Sequence, residues 1–133
     1  MILHEFCVIS SKMAYNFSVV QGSEVSVRLA ITTGDASLPQ NLSGYLVRGK
    51  VKRRYGDTNY VIDLNPTIVS GDEGEAYQSG YIDIYLSGSQ TDSLPIIDGR
   101  YDVERYTTGE GAKEISVFKL LQGRFTVNPE VTS

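Results

Sequence analysis

A chain of 133 residues is long enough for one domain with a real core and too short for two comfortable ones. Its 16 acidic and 12 basic residues leave a formal net charge of −4, which argues against a polyanion as main partner, because neutralising phosphates needs a surplus of Lys and Arg. The single cysteine, Cys7, and the single histidine, His4, exclude an internal disulfide and a metal site of clustered Cys and His.

With 9 Tyr, 13 Gly and no Trp, the composition suits strands joined by tight turns and points to an all-β protein. No run approaches the roughly 18 apolar residues of a membrane span, so no membrane contact is expected. Residues 1–14 read as an N-terminal arm ahead of a domain over 15–133. The arm is apolar but lacks a basic start and is interrupted by His4 and Glu5, which makes it a poor signal peptide. It could add an edge strand, reach a neighbouring molecule, or hang as a loose terminus.

Tyr15 to Val20 reads as a first strand, followed by a turn at Gln21-Gly22-Ser23. Val25, Val27, Leu29 and Ile31 then alternate with Ser26, Arg28, Ala30 and Thr32, the clearest period-2 signal in the chain. Thr33 to Asn41 carries turn residues and predicts a surface loop. Tyr45, Val47, Gly49 and Val51 alternate with Arg48, Lys50, Lys52 and Arg54 in a second long strand. A turn at Gly56-Asp57 leads to a strand over Tyr60 to Leu64, and Pro66 marks an edge or strand end because it cannot donate to a ladder. Ser70 to Glu75 is an acidic, glycine-rich loop. Tyr81 to Leu86 follows as a strand with Ile82, Ile84 and Leu86 inward. One helical turn is expected before Leu94, with Ser89 as its N-cap and Asp92 three residues on. Asp98-Gly99 predicts a turn into a strand over Tyr101 to Thr107. A Gly109-Glu110-Gly111 hairpin loop joins this to Glu114 to Leu121, and Gly123 is expected to interrupt and bulge the strand before Arg124 to Asn128. Seven or eight short strands with no helical pattern between them favour a sandwich of antiparallel sheets over a βαβ fold.

Three groups of residues could meet a ligand. Arg48, Lys50, Lys52 and Arg54 share one face of one strand, since side chains two apart point the same way. They could contact an acidic partner or be answered by Asp102 and Glu104 on a neighbouring strand. Tyr81 and Tyr85 flank Asp83 on an outward face, with Tyr77 nearby, and could stack on a sugar, anchor a protein, or cover an adjacent loop. Asp72, Glu73 and Glu75 lack the spacing of an EF-hand and read as a solvated loop rather than a calcium site. No nucleophile, base and orienting group can be assembled, so no catalytic residue, cofactor or enzymatic activity is expected.

Asp98-Gly99-Arg100-Tyr101-Asp102-Val103 resembles the corner before strand F of an immunoglobulin-type sandwich. There a Tyr near the strand's start hydrogen-bonds back to upstream backbone. Val103 stands where antibody domains carry a Cys, so no sheet-to-sheet disulfide goes with it. Asp98, Gly99 and Tyr101 are therefore the expected structural corner, and the fold expectation is an immunoglobulin-like antiparallel β-sandwich with at most one short helical turn before strand F.

The stretch Asn41-Leu42-Ser43-Gly44-Tyr45-Leu46-Val47-Arg48-Gly49-Lys50-Val51-Lys52 resembles the opening of small immunoglobulin-like tail and baseplate proteins of tailed bacteriophages. Gln90-Thr91-Asp92-Ser93-Leu94-Pro95 resembles that family's Thr-x-x-Leu-Pro step. Gly99-Arg100-Tyr101-Asp102-Val103-Glu104 and the segment from Leu120 to Thr132 resemble its later strands, in the same order. The resemblance implies a non-enzymatic virion component, located in the tail and, during assembly, in the host cytoplasm. It would dock in multiple copies onto other virion proteins through sheet edges and loops. A capsid-surface decoration domain and a carbohydrate-binding module using Tyr77, Tyr81 and Tyr85 are the alternatives.

Overall fold

The computed structural model describes residues 2–10, 15–32, 42, 45–69, 80–108 and 114–130. The expected acidic loop, Tyr77, the loop over 33–41 and the Gly109-Glu110-Gly111 turn lie outside these residues.

Nine strands and one short helix are described: β1 (Ile2–Ser10), β2 (Phe17–Val20), β3 (Glu24–Thr32), β4 (Leu46–Lys52), β5 (Ile62–Asp63), β6 (Thr67–Ile68), β7 (Tyr81–Leu86), α1 (Gly88–Asp92), β8 (Asp98–Thr108) and β9 (Glu114–Asn128). They form two sheets, one ordered β1-β3-β7-β6 and the other β2-β9-β8-β4-β5. The protein is an all-β sandwich, and its central order, β3-β7-β6 against β9-β8-β4, is that of strands B-E-D against G-F-C in an immunoglobulin-type sandwich. Two edge pairs depart from antiparallel pairing: β1 runs parallel to β3, and β2 parallel to β9.

Strand count exceeds the expected seven or eight for two reasons. The segment expected as an arm contributes β1, paired with β3 from Ile2↔Glu24 to Ser10↔Thr32. The strand expected at Tyr60 to Leu64 is present as the shorter β5, and a further short strand, β6, follows Pro66 in the other sheet. Between β5 and β6 the chain crosses the sandwich at Asn65-Pro66. Asn65 takes a positive φ of 47°, which Asn tolerates better than most residues, and its N–H donates to Asp63 Oδ1 at 2.8 Å. Pro66 has no N–H to continue a ladder.

The core follows from the period-2 strands. Val25, Val27, Leu29 and Ile31 of β3 and Ile82, Ile84 and Leu86 of β7 are buried from one sheet. Phe17, Val51, Tyr101, Val103, Phe125 and Val127 meet them from the other. Each such side chain contributes about 1.5–3 kcal/mol by leaving water. Phe17 packs edge-on against Tyr101, with ring centroids 5.0 Å apart, and tilted against Phe125 at 5.5 Å.

Four local expectations are corrected. Asp98-Gly99 is no turn: both residues already pair with Thr126 and Phe125 as the start of β8. Gly99 is needed there because a Cβ would stand 2.8 Å from the carbonyl oxygen of Lys52. The N-cap of α1 is Ser87 rather than Ser89, in a capping box in which Gln90 N–H donates to Ser87 Oγ at 3.2 Å and Ser87 N–H to Gln90 Oε1 at 2.8 Å. Arg54 lies beyond the end of β4, so the cationic stripe on that strand holds three residues, not four.

The bulge in β9 also falls elsewhere. Val103 pairs with Leu121 and Glu104 with Lys119, leaving Leu120 as the extra residue. Both leucines are consequently turned into the core, with no measurable exposure of either. Gly123 keeps regular pairing opposite Tyr101. Its missing side chain makes room for the segment ahead of β2, since a Cβ would collide with the carbonyl oxygen of Tyr15.

Candidate docking faces

Tyr101 shows how the corner residues act. Its ring is buried, and its hydroxyl donates to the Tyr15 carbonyl oxygen at 2.6 Å. That acceptor lies 86 residues upstream, at the entry to β2, so the bond ties the first strand of one sheet edge to the third strand in. Tyr15 N–H donates to the Gln122 carbonyl at 3.1 Å and Asn16 Oδ1 accepts from Arg124 N–H at 2.9 Å on either side of Gly123. Asp98 points outward: it accepts from Thr126 Oγ1 at 3.2 Å and lies 3.4 Å from Arg100 Nη1 and 3.9 Å from Arg124 Nη1.

The outer face of the five-stranded sheet is set by the β4–β8 and β8–β9 registers, because laterally paired residues share a face. Four rows cross β4, β8 and β9 in turn. Arg48, Glu104 and Lys119 form one, and Arg48 Nε binds Glu104 Oε1 at 2.7 Å while its guanidinium carbon stands 4.6 Å from the Tyr106 ring centre. Lys50, Asp102 and Gln122 form the next, with Asp102 held by Lys119 Nζ at 3.2 Å and Lys50 Nζ lying 4.5 Å from the ring centre of Tyr60. Thus Arg48 is answered by its neighbour as parity predicted, and Lys50 by an aromatic ring instead. Half-exposed pairs of this kind contribute about 0.2–1 kcal/mol each. Arg54, off the strand, lies 3.8 Å from Asp57.

The outer two rows are of one kind each. Lys52, Arg100 and Arg124 stand side by side across the three strands. At the opposite end, Leu46, Tyr106 and Val117 do the same, with Leu46 49% and Val117 48% exposed. Reading the sequence strand by strand finds Lys52 but misses Arg100 and Arg124 as its companions, because nothing along the chain reports lateral register. A recess of about 280 Å³ is lined by Lys50, Lys52, Tyr55, Arg100, Asp102 and Glu104, among others. It falls just below the ~300–1,000 Å³ usual for a small-molecule pocket, whereas two shallower recesses, of about 480 Å³ beside Val117 and Phe118 and of about 430 Å³ around Arg53 and Tyr60, lie within that range.

On the outer face of the other sheet, Asp83 receives a two-pronged bond from Arg28, Nε to Oδ1 at 2.8 Å and Nη2 to Oδ2 at 3.0 Å. Tyr81 lies beneath the same guanidinium, 5.8 Å from ring centre to carbon. Tyr85 is 53% exposed and donates its hydroxyl to Glu24 Oε2 at 3.0 Å, a bond that holds its phenol above the ordinary value of 10.0, helped by partial desolvation and the charge of Glu24. Tyr81 and Tyr85 are therefore engaged with the cross-strand residues of β3. A further cation missed from sequence, Arg105, sits between the rings of Tyr45 and Phe118, 4.4 and 4.6 Å from their centres. Among the described residues no cluster of three or more His, Cys, Asp or Glu could hold a metal ion, and no helix is long and apolar enough to cross a membrane.

No family model matches the sequence, and no curated protein matches it. Among solved structures, the N-terminal domain of phage TP901-1 ORF48 superposes with a TM-score of 0.61 at 13% identity, covering 96% of this chain and 99% of that one. A cysteine protease inhibitor of Entamoeba histolytica, EhICP2, superposes at 0.44 with 10% identity over 94% and 97% of the two chains, too loosely to argue from. What the first likeness establishes is a shared fold, end to end, with a domain of a phage protein.

Proposed function

We propose that this chain is a non-enzymatic structural protein of a tailed-phage particle, a tail or baseplate component that docks in multiple copies onto other virion proteins. The observation that carries the reading is the superposition with the phage domain over nearly the full length of both chains. The motifs from Asn41 to Thr132, which follow one another in the order of that family, support it independently. Function then lies in complementary surfaces, and the proposed contacts are the cationic face carrying Arg48, Lys50 and Lys52, with Arg54 in the turn beyond it, and the tyrosine face carrying Tyr81 and Tyr85.

Immunogold labelling of intact particles with an antibody against this chain tests the placement. Gold at the tail or its tip supports the proposal, and gold over the head moves the domain to capsid decoration. Particles without gold, from cells that express the chain, would overturn both. The carbohydrate-binding alternative predicts saturable glycan binding that is lost on Tyr85→Ala, the most exposed of the two described tyrosines on that face.

A further inference from the structure

Lys52, Arg100 and Arg124 are paired laterally in a row across β4, β8 and β9. Like charges directly opposite one another in a sheet oppose folding. The two neighbouring rows relieve this with carboxylates, Glu104 on Arg48 and Asp102 on Lys119. Only Asp98 reaches the cationic row among the described residues, at 3.4 Å from Arg100 and 3.9 Å from Arg124, and no described carboxylate pairs with Lys52. At the other end of the same face Leu46 and Val117 leave apolar surface in water on either side of Tyr106, whose ring lies under the Arg48 guanidinium. The face thus carries an incompletely compensated cationic row at one end, three cations to the one carboxylate of Asp98, and exposed aliphatic surface at the other.

We infer that this outer face docks a polypeptide segment of a neighbouring protein whose acidic residues meet Lys52, Arg100 and Arg124 and whose apolar residues meet Leu46, Tyr106 and Val117. A nucleic acid fits less well. The carboxylates Asp102 and Glu104 between the rows would repel a phosphate backbone, and the Leu46 row offers it nothing to neutralise. Charged residues at a rim beside exposed aliphatic and aromatic side chains are the composition of a protein contact. The spacing adds a constraint on the partner. Six residues of β4 separate Lys52 from Leu46, roughly 20 Å at ~3.3 Å per residue. The acidic and apolar anchors are therefore about six residues apart in an extended segment, or about thirteen in a helix rising ~1.5 Å per residue.

The inference deepens the docking reading and rests on it for the partner's being a protein of the particle. Its test uses the isolated full chain, so that its failure leaves the placement of the protein, read by immunogold, undecided by this result. Two probes of equal formal charge are titrated at low salt while backbone amides are followed by NMR: a peptide with a glutamate pair and a leucine pair six residues apart, and a single-stranded oligothymidylate. The expected result is a shift of the Lys52, Arg100, Arg124, Leu46 and Val117 amides with the peptide, weakened by added salt. Lys52→Gln and Arg100→Gln should each weaken peptide binding about two- to fivefold, with a melting temperature for Lys52→Gln at or above that of the parent. Tighter binding of the oligothymidylate would overturn the inference in favour of a nucleic acid. Absence of shifts with either probe, or shifts confined to the β3–β7 face, would overturn it outright.

Discussion

Tyr101 and Gly123 face one another across β8 and β9, and the small residue lets the large one's hydroxyl reach the Tyr15 carbonyl. Tyr101→Phe keeps the ring in the core and removes that donor, so the expected loss is about 1–2 kcal/mol, read by chemical denaturation. Gly123→Ala should lose about 2 kcal/mol or more, because its Cβ meets backbone that cannot yield cheaply. Gly56→Ala, with nothing within 4 Å of the added carbon, is the control and should stay within about 0.5 kcal/mol. Equal stabilities for the two alanine variants would sink this account of β2's anchoring. The Tyr85–Glu24 bond gives a pH prediction at the same scale. A phenol raised above its unfolded value by folding contributes stability that is present below that value and lost as pH climbs through the folded one. Glu24→Gln should bring the Tyr85 Cζ titration, followed by NMR, back down toward 10.0. An unchanged midpoint would assign the shift to something other than Glu24.

Elements are joined here by register, and the bulge at Leu120 is where register and pattern part. Strict alternation would put one of Leu120 and Leu121 in water, where truncation matters little. The extra residue buries both instead, so Leu120→Ala and Leu121→Ala should each lose about 2–5 kcal/mol. A near-neutral result for either would contradict the pairing of Glu104 with Lys119. Much of this level was legible beforehand. Alternation of Val25 to Ile31 and of Ile82 to Leu86 predicted the buried face of the four-stranded sheet, since a strand with one wet face has to alternate. Pairing of Arg48 with Glu104 followed from parity and strand order. The bulge was misplaced at Gly123 because glycine is the usual signal of strand irregularity, whereas two leucines in succession carry no such signal.

For the molecule as a whole, β1 decides how the four-stranded sheet ends. It lies parallel along the edge of β3, and without it that edge would offer a row of unpaired backbone groups to any passing strand. A chain lacking residues 1–12 should keep the β3–β7 ladder and lose protection at those β3 amides that pair with β1, measured by hydrogen exchange. Uniform protection along β3 in the shortened chain would show that β1 does not cover that edge. A shift toward dimers in the shortened chain would accompany the exposed edge.

By itself the sequence determined that the protein is all-β, where most strands run, which side chains face inward, and that acidic residues outnumber basic ones. These properties are set by neighbours one or two residues away along the chain, where period and composition speak directly. Only the tertiary structure decided the rest. It brought Tyr101 to Tyr15, placed β1 on β3, moved Asp98-Gly99 into a strand, and set Lys52, Arg100 and Arg124 in one row. All of these depend on which strand lies beside which, and in what register. That choice is made by the summed burial of two sheets rather than by any local pattern.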